Sequence, residues 1–193
     1  MGTILQKAIR LILEGRYREL FAKSLHRLSL MPYYLWKRPL LYKQMRQDTR
    51  FTISDSLLKM ILSSPVKKYT IENIRLGSIK RRWNEQIMNL TDTATFAYIV
   101  HGDEKIYREY VRTVYEKILH MDENIISDNI EKNIAGVHKT IETLAHEGYD
   151  IHRGAVVVDE KNIIIDGLHR SSILYKQYGS DYEIPVLRIY HEK

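Results

Sequence analysis

Residues 154–190, GAVVVDEKNIIIDGLHRSSILYKQYGSDYEIPVLRIY, change their hydrophobic pattern three times within one short stretch, and this restricts the fold more than any other feature. Two β-rich runs, GAVVV and NIIID, flank the polar turn Asp159-Glu160-Lys161-Asn162, which predicts a β-hairpin. Gly167 then interrupts the second run. From about Leu168 to Tyr178 the spacing becomes helical, with Gly179 as the stop. The closing IPVLRIY reads as a further strand. A β-β-α-β end of this kind needs helices to cover its sheet, and the preceding sequence supplies them.

SDSLLKMILSSP predicts a short helix capped by Ser54 or Asp55 and ended before Pro65. KYTIENIRLGSI reads as extended, with Ile74, Leu76 and Ile79 alternating. Residues 104–121 predict a helix presenting Tyr107, Val111, Val114, Tyr115 and Ile118 on one face. Residues 128–147 predict another, through Ile130, Ile134, Val137, Ile141 and Leu144 to Gly148. The expected class is therefore α+β.

The charge is unevenly placed. Residues 1–50 hold eleven Lys/Arg against three Asp/Glu, a net of +8, and the rest of the chain nets −2. Residues 3–29 have the spacing of a basic amphipathic helix, with a break expected at Gly15. LMPYYLWKRPLLYKQMR then interleaves Tyr33, Tyr34, Trp36 and Tyr42 with Lys37, Arg38 and Lys43. Rings and cations together suit a headgroup boundary, so residues 1–45 are expected to meet an anionic membrane surface; a helix packed on the core with a solvated basic face is the alternative. Nucleic acid is the weaker choice, because residues 51–193 offer no basic surplus. No apolar run approaches the ~20 residues of a membrane span, and charges at Lys7, Arg10, Glu14 and Arg16 break any signal-peptide core. The absence of cysteine removes disulfides, thiolate metal sites and cysteine nucleophiles. The expected division is a basic extension over residues 1–50 and an α+β domain over 51–193.

The junction at residues 166–172 carries the chemistry. Gly167 permits a tight reversal and a close approach by a ligand. The helix that follows turns unpaired N–H groups and a positive dipole end toward an anion. Arg170 can fork onto a phosphate; His169 adds a donor or a proton-transfer group that titrates near neutrality; Ser171 and Ser172 add hydroxyls. Asp166 can take a magnesium ion, orient an acceptor hydroxyl or accept its proton. Each has an ordinary alternative: Asp166 as a helix cap, His169 as a satisfied half-buried ring, Arg170 paired with a structural carboxylate, the serines as first-turn residues. As a cluster they point to phosphate binding.

IIIDGLHRSSILYKQYGSDYEIPV, preceded by TIETLAHEGYDI, resembles the signature of the ParB/sulfiredoxin-like superfamily over residues 137–190. That signature is a helix, a strand pair, a Gly-x-His-Arg or Gly-x-Arg-Arg turn, a helix and an Ile-Pro-Val strand. The resemblance implies a small mixed sheet with flanking helices, here preceded by the basic extension. Sulfiredoxins carry Gly-Cys-His-Arg and reduce an oxidised cysteine; Leu168 stands at that cysteine's place, which excludes their chemistry. ParB proteins carry Gly-Glu-Arg-Arg, bind CTP and clamp DNA; Leu168 and His169 depart from that turn, and no helix-turn-helix module follows. Free-serine kinases carry Asp-Gly-His-His-Arg, the nearest of the three, and move a phosphoryl group from a nucleotide to a small hydroxyl compound, with a separate glutamate as base.

For this chain the resemblance implies that His169, Arg170 and the start of the helix bind nucleotide phosphates; with the residue reading, the expected set is Gly167, His169, Arg170, Ser171 and Ser172 for ATP or ADP, or CTP, with Mg2+ at Asp166. It does not locate the base. Asp103, at the mouth of the helix in VHGDEKIYREY, is the candidate second carboxylate; capping that helix is its alternative role. The basic N-terminus is similar to extensions on enzymes that build or decorate bacterial surface glycans, which suggests a sugar or glycan acceptor and a place at the cytoplasmic face of the membrane. The expected function is a nucleotide-dependent phosphotransferase. The alternatives are a nucleotide-binding regulatory module without turnover and a ParB-like DNA-binding or nuclease protein.

Overall fold

The structure, a computed structural model, describes residues 30–118 and 120–192. The amphipathic helix expected at 3–29 lies outside them. The chain divides into two units: among the described residues, the first comprises 30–47 and 58–65 and the second 48–57 and 66–192.

In the first unit a π-helical turn, Tyr33–Lys37, leads directly into helix α1 (Arg38–Gln47). Tyr33, Leu41 and Met45 form its buried side. The Tyr33 and Tyr34 hydroxyls donate to the carbonyls of Leu62 and Ser63, each at 3.1 Å, and fasten the turn to the rest of that unit. Helix α2 (Asp55–Ile61) starts where its cap was expected: Ser54 Oγ accepts from the Leu57 N–H at 3.2 Å.

The second unit is mixed α+β, with a four-stranded sheet and flanking helices. Its strands are β1 (Val66–Arg75), β4 (Val157–Asp159), β5 (Ile164–Asp166) and β6 (Glu183–His191), in the order β1-β6-β4-β5. β6 runs antiparallel to β1 and parallel to β4, so Leu187 lies between Ile71 and Val157. β4 and β5 form the expected hairpin. Asp159 Oδ1 accepts from the N–H groups of Lys161 and Ile163, at 2.8 and 2.9 Å, while Asn162 adopts φ 62°, a conformation asparagine tolerates. A separate hairpin pairs β2 (Lys80–Trp83) with β3 (Gln86–Asn89).

Helices cover one face of the sheet: α3 (Ala94–His101), α4 (Glu104–Thr113), α5 (Glu123–Glu147) and α6 (Leu168–Tyr178). The long α5 buries Ile126, Ile130, Ile134, Val137 and Leu144 at spacings of three, four and seven, so one stripe meets the core along its length. Val156, Val158, Ile164, Ile184 and Val186 of the sheet region join Ile173 and Leu174 of α6 in the same cluster. Each such side chain contributes about 1.5–3 kcal/mol by leaving water.

Three expectations need correction. The extended run through Ile79 ends at Arg75, and Leu76–Ser78 forms a 3-10 turn whose Leu76 is nonetheless buried. The helix expected over 104–121 keeps α geometry to Thr113 and then widens into a π turn, Val114–Ile118. The helix expected over 128–147 begins earlier, at Glu123, because Ile126 extends its apolar stripe by a turn. Among the described residues, no helix is long and apolar enough to cross a membrane.

Candidate functional site

β5 ends at Asp166 and α6 begins at Leu168, with Gly167 at φ 93°, ψ 21° between them. That left-handed conformation favours glycine, and space adds a second demand. A Cβ at this position would stand 2.9 Å from Val156 Cγ2 and 3.0 Å from Val156 Cα. The turn is thus pressed against the residue that leads into β4. Among the described residues no side chain caps α6, and its first backbone bond is the Ser171 N–H to the Gly167 carbonyl at 2.9 Å. The amides of Leu168, His169 and Arg170 precede it, so they have no partner within the helix.

The junction opens on a cavity of about 480 Å³. Arg81 from β2, Tyr107 and Tyr110 from α4, Tyr115 from the π turn, Asn133 and Thr140 from α5, and the run Asp166–Arg170 all line it. Arg81 is held by a 2.8 Å bond from its Nη2 to the Tyr110 hydroxyl and lies 5.9 Å from that ring's centre. Asn133 donates to the Tyr115 hydroxyl at 3.0 Å.

Arg170 does not project freely into this space. Its Nη2 donates to Asp166 Oδ2 at 2.8 Å and to the Ala155 carbonyl at 3.0 Å. The guanidinium lies against Gly154, whose missing Cβ leaves it room. Its Nε is buried without a hydrogen bond. The expectation of an open fork is corrected to an ion pair that ties β5 to α6. Asp166 consequently does not cap the helix. Its carboxylate is about half exposed, and among the described residues only Oδ2 is bonded.

His169 also differs from expectation. Its Nε2 is 2.9 Å from the Tyr107 hydroxyl, and Tyr107 is fully buried. Burial is the main cause that lowers the imidazole pKa to about 4; Asp166 opposes the shift, and the charges of Arg170 and Arg81 add to it. At neutral pH the ring is uncharged, not poised near its midpoint. Burial likewise pushes the Tyr107 phenol upward, so it serves as a hydrogen-bonding group.

Ser171 and Ser172 are fully buried and line no part of the cavity. Ser172 Oγ donates to the Leu168 carbonyl at 2.9 Å, and Ser171 Oγ is unpaired. Their expected phosphate contacts are replaced by packing on the inner side of α6. Asp103 is not at the cavity either: its Oδ1 accepts from the Ile106 N–H at 3.1 Å and caps α4. The structure therefore brings together Asp166, Gly167, His169 and Arg170, and adds Arg81, Tyr107 and Tyr110. Tyr107 registers in the sequence only as part of an apolar stripe, Tyr110 falls outside that stripe, and Arg81 lies in a segment with no legible element.

Among the described residues, no three His, Asp or Glu side chains are grouped to hold a metal ion. Among these residues, Asp166 is the one carboxylate lining the cavity. A single carboxylate suffices for magnesium that arrives with phosphate oxygens and water. Comparisons with protein-family models, curated proteins and solved structures return no match.

Proposed function

We propose that this chain binds a nucleotide by its phosphates at the start of α6 and transfers a phosphoryl group to a small hydroxyl compound such as a sugar. One observation carries the reading: a helix N-terminus with no side-chain cap opens, beside Arg81 and Arg170, on a cavity of about 480 Å³. Oriented amides and a dipole end attract an anion, and fixed cations beside them strengthen the attraction. The arrangement of hairpin, glycine turn, helix and closing strand agrees with the ParB/sulfiredoxin-like resemblance.

The roles follow from position. Leu168, His169 and Arg170 offer their amides to the phosphates, and Arg81 offers its guanidinium. Arriving phosphate competes with Asp166 for the amino group of Arg170. Once released, Asp166 accepts the proton of the acceptor hydroxyl as that oxygen bonds to phosphorus, and the bond to the bridging oxygen breaks, releasing the nucleoside diphosphate. Neutral His169 orients ligand through its ring N–H and through Tyr107. Magnesium carried in by the phosphates and their water would neutralise charge on the transferring group, leaving Asp166 free to act as the base.

The test is calorimetric titration with ATP, ADP and CTP in the presence of magnesium. Arg81→Ala and Arg170→Ala should each weaken binding by about 1.5–3 kcal/mol, the value of a hydrogen bond to a charged group. No binding of any of the three nucleotides would end the proposal. The Asp166–Arg170 pair also favours a second reading, binding without turnover, because it occupies the only carboxylate at the cavity among the described residues. Release of diphosphate with sugar acceptors, lost in Asp166→Asn while binding persists, would decide for transfer.

A further inference from the structure

The exposed surface of the first unit has a chemistry that the cavity does not use. Leu35, Trp36 and Leu40 are 61, 78 and 56 % exposed, and Met60 of the same unit is 53 % exposed. Their burial partners face the other way: Tyr33, Leu41 and Met45 already supply the inward side of this helical segment. The segment thus has a buried apolar side and, at Leu35, Trp36 and Leu40, a second apolar group facing outward, which a helix surrounded by water has no reason to carry. The hydroxyl bonds of Tyr33 and Tyr34 to residues 62 and 63 fix the π turn that presents Leu35 and Trp36.

Charge says what covers this face. Residues 30–47 contain Lys37, Arg38, Lys43 and Arg46 and no Asp or Glu. Lys43 and Arg46 are exposed one and two turns beyond the apolar side chains. We infer that this face seats on an anionic lipid surface, with Leu35, Trp36 and Leu40 entering the headgroup boundary and Lys43 and Arg46 meeting the phosphates. Indole is at home at that depth, and lysine and arginine gain there from the negative surface potential. A nucleic acid would satisfy the cations and gain nothing from the leucines. No helix among the described residues could cross the bilayer, so the segment lies in the interface plane.

The test is flotation of the full chain with vesicles of phosphatidylcholine, with and without about one third phosphatidylglycerol. The chain should float with the anionic vesicles, poorly with the neutral ones, and less as salt rises. Combining Leu35→Ser, Trp36→Ser and Leu40→Ser should cut partition at least about tenfold, since each buried apolar side chain alone is worth about that factor. Lys43→Glu with Arg46→Glu should cut it on anionic vesicles by a similar factor. All five positions are exposed, so the thermal melt should not move. In a Trp83→Phe chain, brominated acyl chains should quench Trp36. The inference falls if wild type fails to float, if it floats equally on neutral vesicles, or if Trp36 is not quenched. It also falls if the substituted chains float as wild type does, which would assign binding to residues 1–29, or if they lose duplex DNA binding instead.

Discussion

Replacing Gly167 by alanine separates the two reasons a glycine stands at the turn. Gly167 and Gly102 share the left-handed conformation, at φ 93°, ψ 21° and φ 77°, ψ 14°. Around Gly102 an added Cβ would meet nothing within 4 Å. At Gly167 it would meet Val156 Cγ2 and Cα at 2.9 and 3.0 Å. Val156 cannot easily retreat. Its carbonyl accepts from the Leu187 N–H at 2.9 Å, and its own N–H donates to the Tyr149 hydroxyl at 3.0 Å. Gly102→Ala should therefore cost the conformational penalty alone, about 1–2 kcal/mol, less about 0.4–1 kcal/mol for the stiffer unfolded chain. Gly167→Ala should add about 1–3 kcal/mol for forcing atoms into a packed, hydrogen-bonded strand. Urea unfolding followed by circular dichroism measures the difference, and each kcal/mol corresponds to about 2–4 °C in Tm for a chain of this size. Equal costs for the two substitutions, within about 0.5 kcal/mol, would show that the turn is not pressed against Val156 and would refute the account of how the site is held.

Two further outcomes follow from the same geometry. His169 binds its proton near 6.5 when unfolded and near 4 when folded, so between those values the unfolded chain holds more protons. Stability should then fall as pH drops through that window, and less so in His169→Gln; identical slopes in thermal melts of the two proteins would refute the buried neutral ring. The corresponding window for Asp48, held down to about 2 chiefly by its bond from Arg50, lies lower, between 3.8 and 2, and does not overlap. Tyr107→Phe leaves the His169 nitrogen without its partner and should cost about 1–3 kcal/mol, with a change in the imidazole nitrogen NMR shifts. Unchanged shifts would mean that the bond does not set the ring's tautomer.

Much of the local structure could be read in advance because its causes are local. Helix α6 spans Leu168–Tyr178 as its flanking glycines indicate, α5 stops at Gly148, and Ser54 caps α2. The β2–β3 hairpin is not legible in the sequence because its turn places Asn84 and Glu85 at positive φ, 46° and 67°, without the glycine that usually marks such a turn. Its strands, KRRW and QIMN, are mostly exposed and carry no clear alternation. Helix α3 is not legible either, because ATFAYIVH is too short to establish a period.

The amino-acid order alone determined that a glycine joins a strand to a helix at 166–168 with Asp, His and Arg around it, since backbone conformation and hydrogen-bond supply act over a few residues. What those side chains do was decided by tertiary structure. Tyr107, 62 positions from His169, fixes its ring, and burial removes its charge. The space beside Gly154 and the bond to the Ala155 carbonyl hold Arg170 turned back onto Asp166. Protonation and pairing depend on solvent access and on neighbours brought from distant segments, and these exist only once the chain has folded.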